Sequence, residues 1–127
     1  MPKRTPLYQQ HLALGARCID FGGWEMPVQY TGIVAEHQAV RTAAGVFDIS
    51  HMGEIWVGGA HASGFLNQTL TNDIGLLAVG ESQYTLMCNE AGGVIDDLYV
   101  YRIANEAFLL MVNATRISSD LHWLEFQ

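Results

Sequence analysis

Apolar positions along the chain fall into two rhythms, one near helical spacing and one alternating. Residues 6–15 read as a short helix ending at Gly15. RCIDF and MPVQY, parted by GGWE, read as two strands around a Gly-rich turn. In TGIVAEHQAVRTAAG, Ile33, Val34, His37 and Val40 recur at helical spacing, with Thr31 as the expected N-cap and Gly45 as the stop. Residues 47–57, FDISHMGEIWV, have the composition of an extended segment, and Gly58-Gly59 ends it. HASGFLNQTLT follows, with Ala62, Phe65, Leu66 and Leu70 on one helical face. Gly64 inside that helix costs about 1 kcal/mol relative to Ala. Three strands come next, SQYTLMC at 82–88, VIDDLYVYRI at 94–103 and AFLLMVN at 107–113, and their short loops favour an antiparallel meander. TRISSDLHWLEF spaces Ile117, Leu121 and Leu124 as a helix with that side inward. After the first short helix the order is β-β-α-β-α-β-β-β-α, which predicts an α+β fold with helices packed on an antiparallel sheet. No linker, repeat or low-complexity tract interrupts it, so residues 1–127 read as one domain.

Composition adds a surface problem. Half of the chain is hydrophobic and only 15% is charged, against about 25% in an ordinary soluble domain. So few charges imply a large core, a large interface, or both. A net charge of -7 argues against a nucleic-acid or anionic-membrane partner. The start MPKRTPLYQQH lacks the apolar core of a secretory signal, and FLLMV at 108–112 is far too short to cross a bilayer. Cys18 and Cys88 show no CxxC spacing and suit two reduced thiols, so the expected setting is the cytoplasm.

Candidate chemistry concentrates in GGVIDDLYVYR, residues 92–102, where two carboxylates sit inside a strand-like run. Asp packs poorly in strands and prefers turns. Neighbours on a strand point to opposite faces, so Asp96 sorts with Val94, Leu98 and Val100, and Asp97 with Ile95, Tyr99 and Tyr101. The pair therefore does not act on one bond as a glycosidase couple does. Two readings stay open. Both aspartates close the hairpin turn by bonding backbone amides, or Asp97 with the two tyrosines receives a planar, nitrogen-rich ligand. The five histidines show no metal-ligand spacing. Asp48 and His51 in DISH suggest at most a structural hydrogen bond, and Met26, Met52, Met87 and Met111 suit packing.

Taken together, TPLYQQHLALGAR, DFGGWEMPVQY, EHQAVRTAAGVFDISHMGE, YTLMCNEAGGVIDDLYVYR and MVNAT resemble, in order and spacing, the T-protein (aminomethyltransferase) family of the glycine cleavage system. Folate-dependent demethylases and the folate domains of dimethylglycine and sarcosine dehydrogenases share the pattern less closely. The resemblance implies transfer of a one-carbon unit to tetrahydrofolate from an aminomethyl group on the lipoyl arm of a carrier protein, with release of ammonia. It implies a catalytic role for Asp97 beside the reactive folate nitrogens, general-base or electrostatic. Met52, Tyr84, Tyr99, Tyr101 and Asn113 fall where the family lines its folate pocket, while Asp96 stays structural.

Members of that family are close to three times this length, and their folate domain resembles a duplication of which this chain covers the first half. The expectation is one wall of a pocket, with little or no aminomethyltransferase activity in this chain alone. Two copies around a two-fold axis, or a partner chain, are expected to supply the missing half. The competing readings are a non-catalytic module for folate or another planar ligand and a purely structural dimeric fragment.

Overall fold

The computed structural model describes residues 1–127, which divide into two compact units, Met1–His51 and Met52–Gln127. In the first unit, α1 (Tyr8–Ala13) leads to an antiparallel ribbon of β1 (Arg17–Phe21) and β2 (Trp24–Gln29), followed by α2 (Ile33–Thr42). Gly22 and Gly23 turn the ribbon with φ of +60° and +84°. That left-handed pair is the geometry of the tightest hairpins, and glycine adopts it without steric cost. Lys3 extends the ribbon by exchanging backbone hydrogen bonds with Gly23 and Glu25.

In the second unit, β3 (Gly53–Gly58), β4 (Ser82–Cys88), β5 (Val94–Ala104) and β6 (Ala107–Val112) form one sheet in the order β3-β6-β5-β4, every neighbour antiparallel. The expected α+β class and the meander of the last three strands are both present. Helices α3 (Ala62–Thr69) and α4 (Ile117–Phe126) and a single 3-10 turn (Ile74–Leu76) complete the unit. Its core joins Leu98 and Val100 of β5 and Phe108, Leu110 and Val112 of β6 to Leu66, Ile74 and Leu124. Each large side chain fully withdrawn from water there contributes roughly 1.5–3 kcal/mol. At Gly53, a Cβ would collide with Ile117 and Val112, so glycine permits the close approach of α4 to the end of β3. No helix is long and apolar enough to cross a membrane.

Several local expectations are corrected. The strand expected over residues 47–57 begins only at Gly53, because Asp48 accepts a hydrogen bond from the Ser50 backbone and bends the chain. Thr31 does not cap α2. The N-cap is Gly32, and one Glu36 oxygen accepts from the backbone N–H groups of Tyr30, Thr31 and Gly32 at 2.8, 2.8 and 2.9 Å. That helix stops at Thr42, before Gly45, and none of its residues is buried. In α4 the inward stripe is Ile117, Asp120 and Leu124, while Leu121 is exposed.

Candidate functional site

Register across the second sheet decides which side chains meet. Tyr99 of β5 pairs Tyr84 of β4 on one side and Met111 of β6 on the other. One step along the same face, Asp97 pairs Leu86, and continuing the β5–β6 register places Asn113 opposite Asp97. The β3–β6 register, running Gly53 against Val112, brings Met52 level with Asn113. Pleating turns Asp96, Leu98 and Val100 into the core and leaves Asp97 and Tyr99 exposed on the opposite face, with Tyr101 half-buried. The alternation of the strand thus sorts the two carboxylates as the sequence suggests.

Side-chain bonds tie this face together. The Tyr84 hydroxyl donates to Asp97 Oδ2 at 3.0 Å. Asn113 Nδ2 reaches Asp97 Oδ1 at 3.2 Å, the Asp97 carbonyl at 3.1 Å and Asp96 Oδ1 at 2.9 Å. The bond to Asp97 raises the Tyr84 hydroxyl above its ordinary pKa, so it remains a donor at neutral pH. Tyr99 sets its ring edge against Tyr84 with centroids 5.5 Å apart, and tilts against Tyr101 at 6.3 Å. Tyr84 and Tyr99 nevertheless keep about half of their surface open, 49% and 47%. A charged acceptor among accessible rings suits a flat ligand that presents N–H groups. Tyr84, Tyr99, Tyr101, Asn113 and Asp97 are brought together; Met52 shares their row through register alone.

The hairpin-turn reading of the aspartates is corrected in part. The turn lies at Asn89–Gly93, where the Asn89 side chain accepts from the Ala91 and Gly93 backbone, and both aspartates stand beyond it in β5. Asp96 does bind a backbone amide, that of Asn113 at 3.1 Å. Behind it lies a residue that the apolar spacing passed over. Asp120 of α4 is fully buried against Asp96, and neither of its oxygens has a hydrogen-bond partner. Burial first, and contact with Asp96 second, push its carboxyl up to about 7. The signal was present in the 117-120-124 spacing, where an acidic residue occupies the middle of an apolar stripe.

The first unit holds a different carboxylate. His11 Nε2 meets Asp48 Oδ2 at 2.7 Å and its Nδ1 meets the Tyr30 hydroxyl at 2.7 Å. The histidine three positions after Asp48, His51, packs instead beside Phe21 and Trp24. Desolvation works to raise the Asp48 carboxyl, but bonds from His11 and Ser50 outweigh it and hold the group well below the usual range. Thr5 lies beside the same carboxylate, with its hydroxyl outside hydrogen-bonding geometry. A cavity of about 490 Å³ opens between α2 and β2, walled by Met26, Val28, Ile33, Val40 and Phe47 with Glu36, His37 and Asp48 at its polar edge. None of the Asp97 set lines it. Nowhere do three His, Cys, Asp or Glu side chains converge as metal ligands.

Similarity to known proteins extends over nearly the whole chain. Positions 7–127 match the family model described as the GCVT N-terminal domain. The chain is 54% identical over 125 residues to an aminomethyltransferase of Desulfitobacterium hafniense, covering 98% of this chain and 34% of that protein. It is 54% identical over 123 residues to an aminomethyltransferase of Thermus thermophilus, covering 97% and 35%. The solved structure of glycine cleavage system aminomethyltransferase T from Bartonella henselae superposes with a TM-score of 0.90 at 42% identity, over 98% of this chain and 35% of that one. The chain thus spans about a third of the length of these relatives. With that extent of match, the chain belongs to the GCVT N-terminal domain family.

Proposed function

We propose that this chain is the Asp97-bearing wall of a tetrahydrofolate site in an aminomethyltransferase. The observation that carries the proposal is the Asp97 carboxylate, held by Tyr84 and Asn113 on an exposed face that also presents Tyr99 and Tyr101. The donor set fits one side of a reduced pterin: rings for its flat face and a charged acceptor for its N–H groups. Tetrahydrofolate, when bound, supplies neighbouring amine nitrogens that take up a one-carbon unit. Asp97 accepts from such an N–H, stabilises positive charge as it develops and draws the proton away. Tyr84 and Asn113 fix both carboxylate oxygens, so the acceptor is oriented before ligand arrives. Tyr99 and Tyr101 stack on the ligand, and Met52 closes the end of the row.

The one-carbon donor in this reading is an aminomethyl group on the lipoyl arm of a carrier protein. An acidic carrier gains no long-range steering from a chain of net charge -7, so docking depends on local contacts. One wall alone leaves the ligand in water, where each electrostatic contact is weaker. The isolated chain therefore binds tetrahydrofolate weakly and has little or no transferase activity. Exposed Trp56, Tyr84 and Tyr99 on the sheet, and Ile33 and Val34 on α2, support pairing of two copies around a two-fold axis or with a chain supplying the other wall. Light scattering across micromolar concentrations tests the pairing; a monomer throughout, with no added partner, rejects self-association.

Calorimetry with tetrahydrofolate tests the site. Asp97→Asn removes the charged acceptor and should weaken binding by about tenfold or more, the worth of a hydrogen bond to a charged group. Equal affinity in the variant removes Asp97 from the site. No binding by the unmodified chain leaves a structural fragment.

A further inference from the structure

Asp96 and Asp120 are both buried, at 5% and 0% exposure. Two carboxylates brought together away from water resist carrying charge at once, because burial removes the solvent that would offset their repulsion. The partners of each decide where the proton goes. Asp96 accepts from the Asn113 backbone N–H at 3.1 Å and from Asn113 Nδ2 at 2.9 Å. Asp120 accepts from no donor, and both of its oxygens stand unpartnered. Besides Asp96 on β5, the groups acting on it are Arg116 and Ser119 on its own segment. The Arg116 Nε–H is committed to the Ile95 carbonyl at 3.0 Å and the Ser119 hydroxyl to the Arg116 carbonyl at 2.8 Å. A proton on Asp120, donated to Asp96, gives one Asp120 oxygen a partner and removes the repulsion between the two carboxyls.

We propose that Asp120 is a positioning residue: protonated, it bonds Asp96 and so fixes the carboxylate that holds Asn113 against Asp97. The chain of contacts runs Asp120, Asp96, Asn113, Asp97, Tyr84, from the buried side of the sheet to its open face. The rise of the Asp120 carboxyl to about 7 makes this relay titrate near neutrality. Loss of the proton puts two negative charges together beneath Asn113 and loosens its grip on Asp97. Relevance to ligand binding rests on the tetrahydrofolate reading above; the relay itself does not.

Carboxyl-carbon NMR on the aspartate-labelled, unmodified chain tests the relay without any variant or ligand. One buried aspartate should titrate near pH 7, and the Asn113 side-chain amide signals should shift with the same midpoint. A merely structural Asp120 leaves the Asn113 amide unmoved. Asp120→Asn, which keeps an N–H donor toward Asp96, should abolish both titrations. No aspartate titrating between pH 6 and 8, or an Asn113 signal insensitive to that step, overturns the proposal. Tetrahydrofolate affinity then reports the link to the site. Only about a tenth of the relay is protonated one pH unit above its midpoint, so apparent affinity should fall about tenfold from pH 6 to pH 8. Asp120→Asn should flatten that profile. Absent binding at every pH with the NMR titration intact sinks the tetrahydrofolate reading and spares the relay.

Discussion

The first unit buries the Asp48 carboxylate and the second the Asp120 carboxyl, and the two are opposite in kind. Asp48 in the first unit meets donors: His11 Nε2 at 2.7 Å and the Ser50 backbone at 3.0 Å. It stays ionised despite desolvation. Asp120 in the second unit meets another carboxyl and no donor, and it keeps its proton up to about 7. Burial alone does not set the charge of an acid; the hydrogen atoms aimed at it do. The first arrangement is closed on itself, since the far nitrogen of His11 ends at Tyr30. The second passes through Asp96 and Asn113 to a carboxylate on the open face.

The largest test of this contrast removes the donor. His11→Leu leaves Asp48 buried without its principal partner and should cost roughly 3 kcal/mol or more, as broken buried pairs do. Denaturant unfolding followed through Trp24, the tryptophan of the first unit, measures it. A loss below about 1 kcal/mol would mean that Ser50 and solvent suffice to keep Asp48 charged.

Acidity separates the units without mutation. The Asp48 carboxyl is lowered from 3.8, so its contribution is present above that pH and is lost as the solution is acidified further. The Asp120 carboxyl is raised from 3.8 to about 7, so its contribution is complete below about 4 and disappears as pH rises through about 7. Unfolding followed through Trp24 should therefore weaken toward acid. Unfolding followed through Trp56 and Trp123 should weaken between mildly acidic and neutral pH. Parallel profiles would erase the distinction.

The smallest effect concerns α2. Glu36→Ala removes the acceptor of three backbone N–H groups and should cost about 1 kcal/mol, whereas Thr31→Ala should change stability by less than about 0.5 kcal/mol. Thermal unfolding of the two variants compares them. The reverse order would restore Thr31 as the cap.

What the sequence disclosed follows from the range of each signal. Alternation is local, so it correctly placed Asp97 with Tyr99 and Tyr101 and turned Asp96 inward. Tyr84 and Asn113 depend on inter-strand register, which no spacing within one strand fixes; they came only through family resemblance. Met52 came by the same route, and its place in the row rests on extending the β3–β6 register. Asp120 escapes the apolar periodicity because an acidic residue interrupts the 117–124 stripe, although buried polar side chains are the informative ones. His11 and Asp48 lie far apart in sequence, and His51, a close neighbour of Asp48, drew attention from the actual partner. The apolar face of α2 was legible as a face; that it stays uncovered in this chain was legible only in the low charge content.

Amide and aromatic NMR shifts during titration with tetrahydrofolate compare the two regions directly, because each offers a place for a flat ligand. Shifts gathered on Tyr84, Tyr99, Tyr101 and Asn113, and lost in Asp97→Asn, are the predicted result. Shifts confined to Met26, His37 and Phe47 around the cavity of the first unit, or unaltered by Asp97→Asn, would contradict the assignment of the site to the Asp97 face.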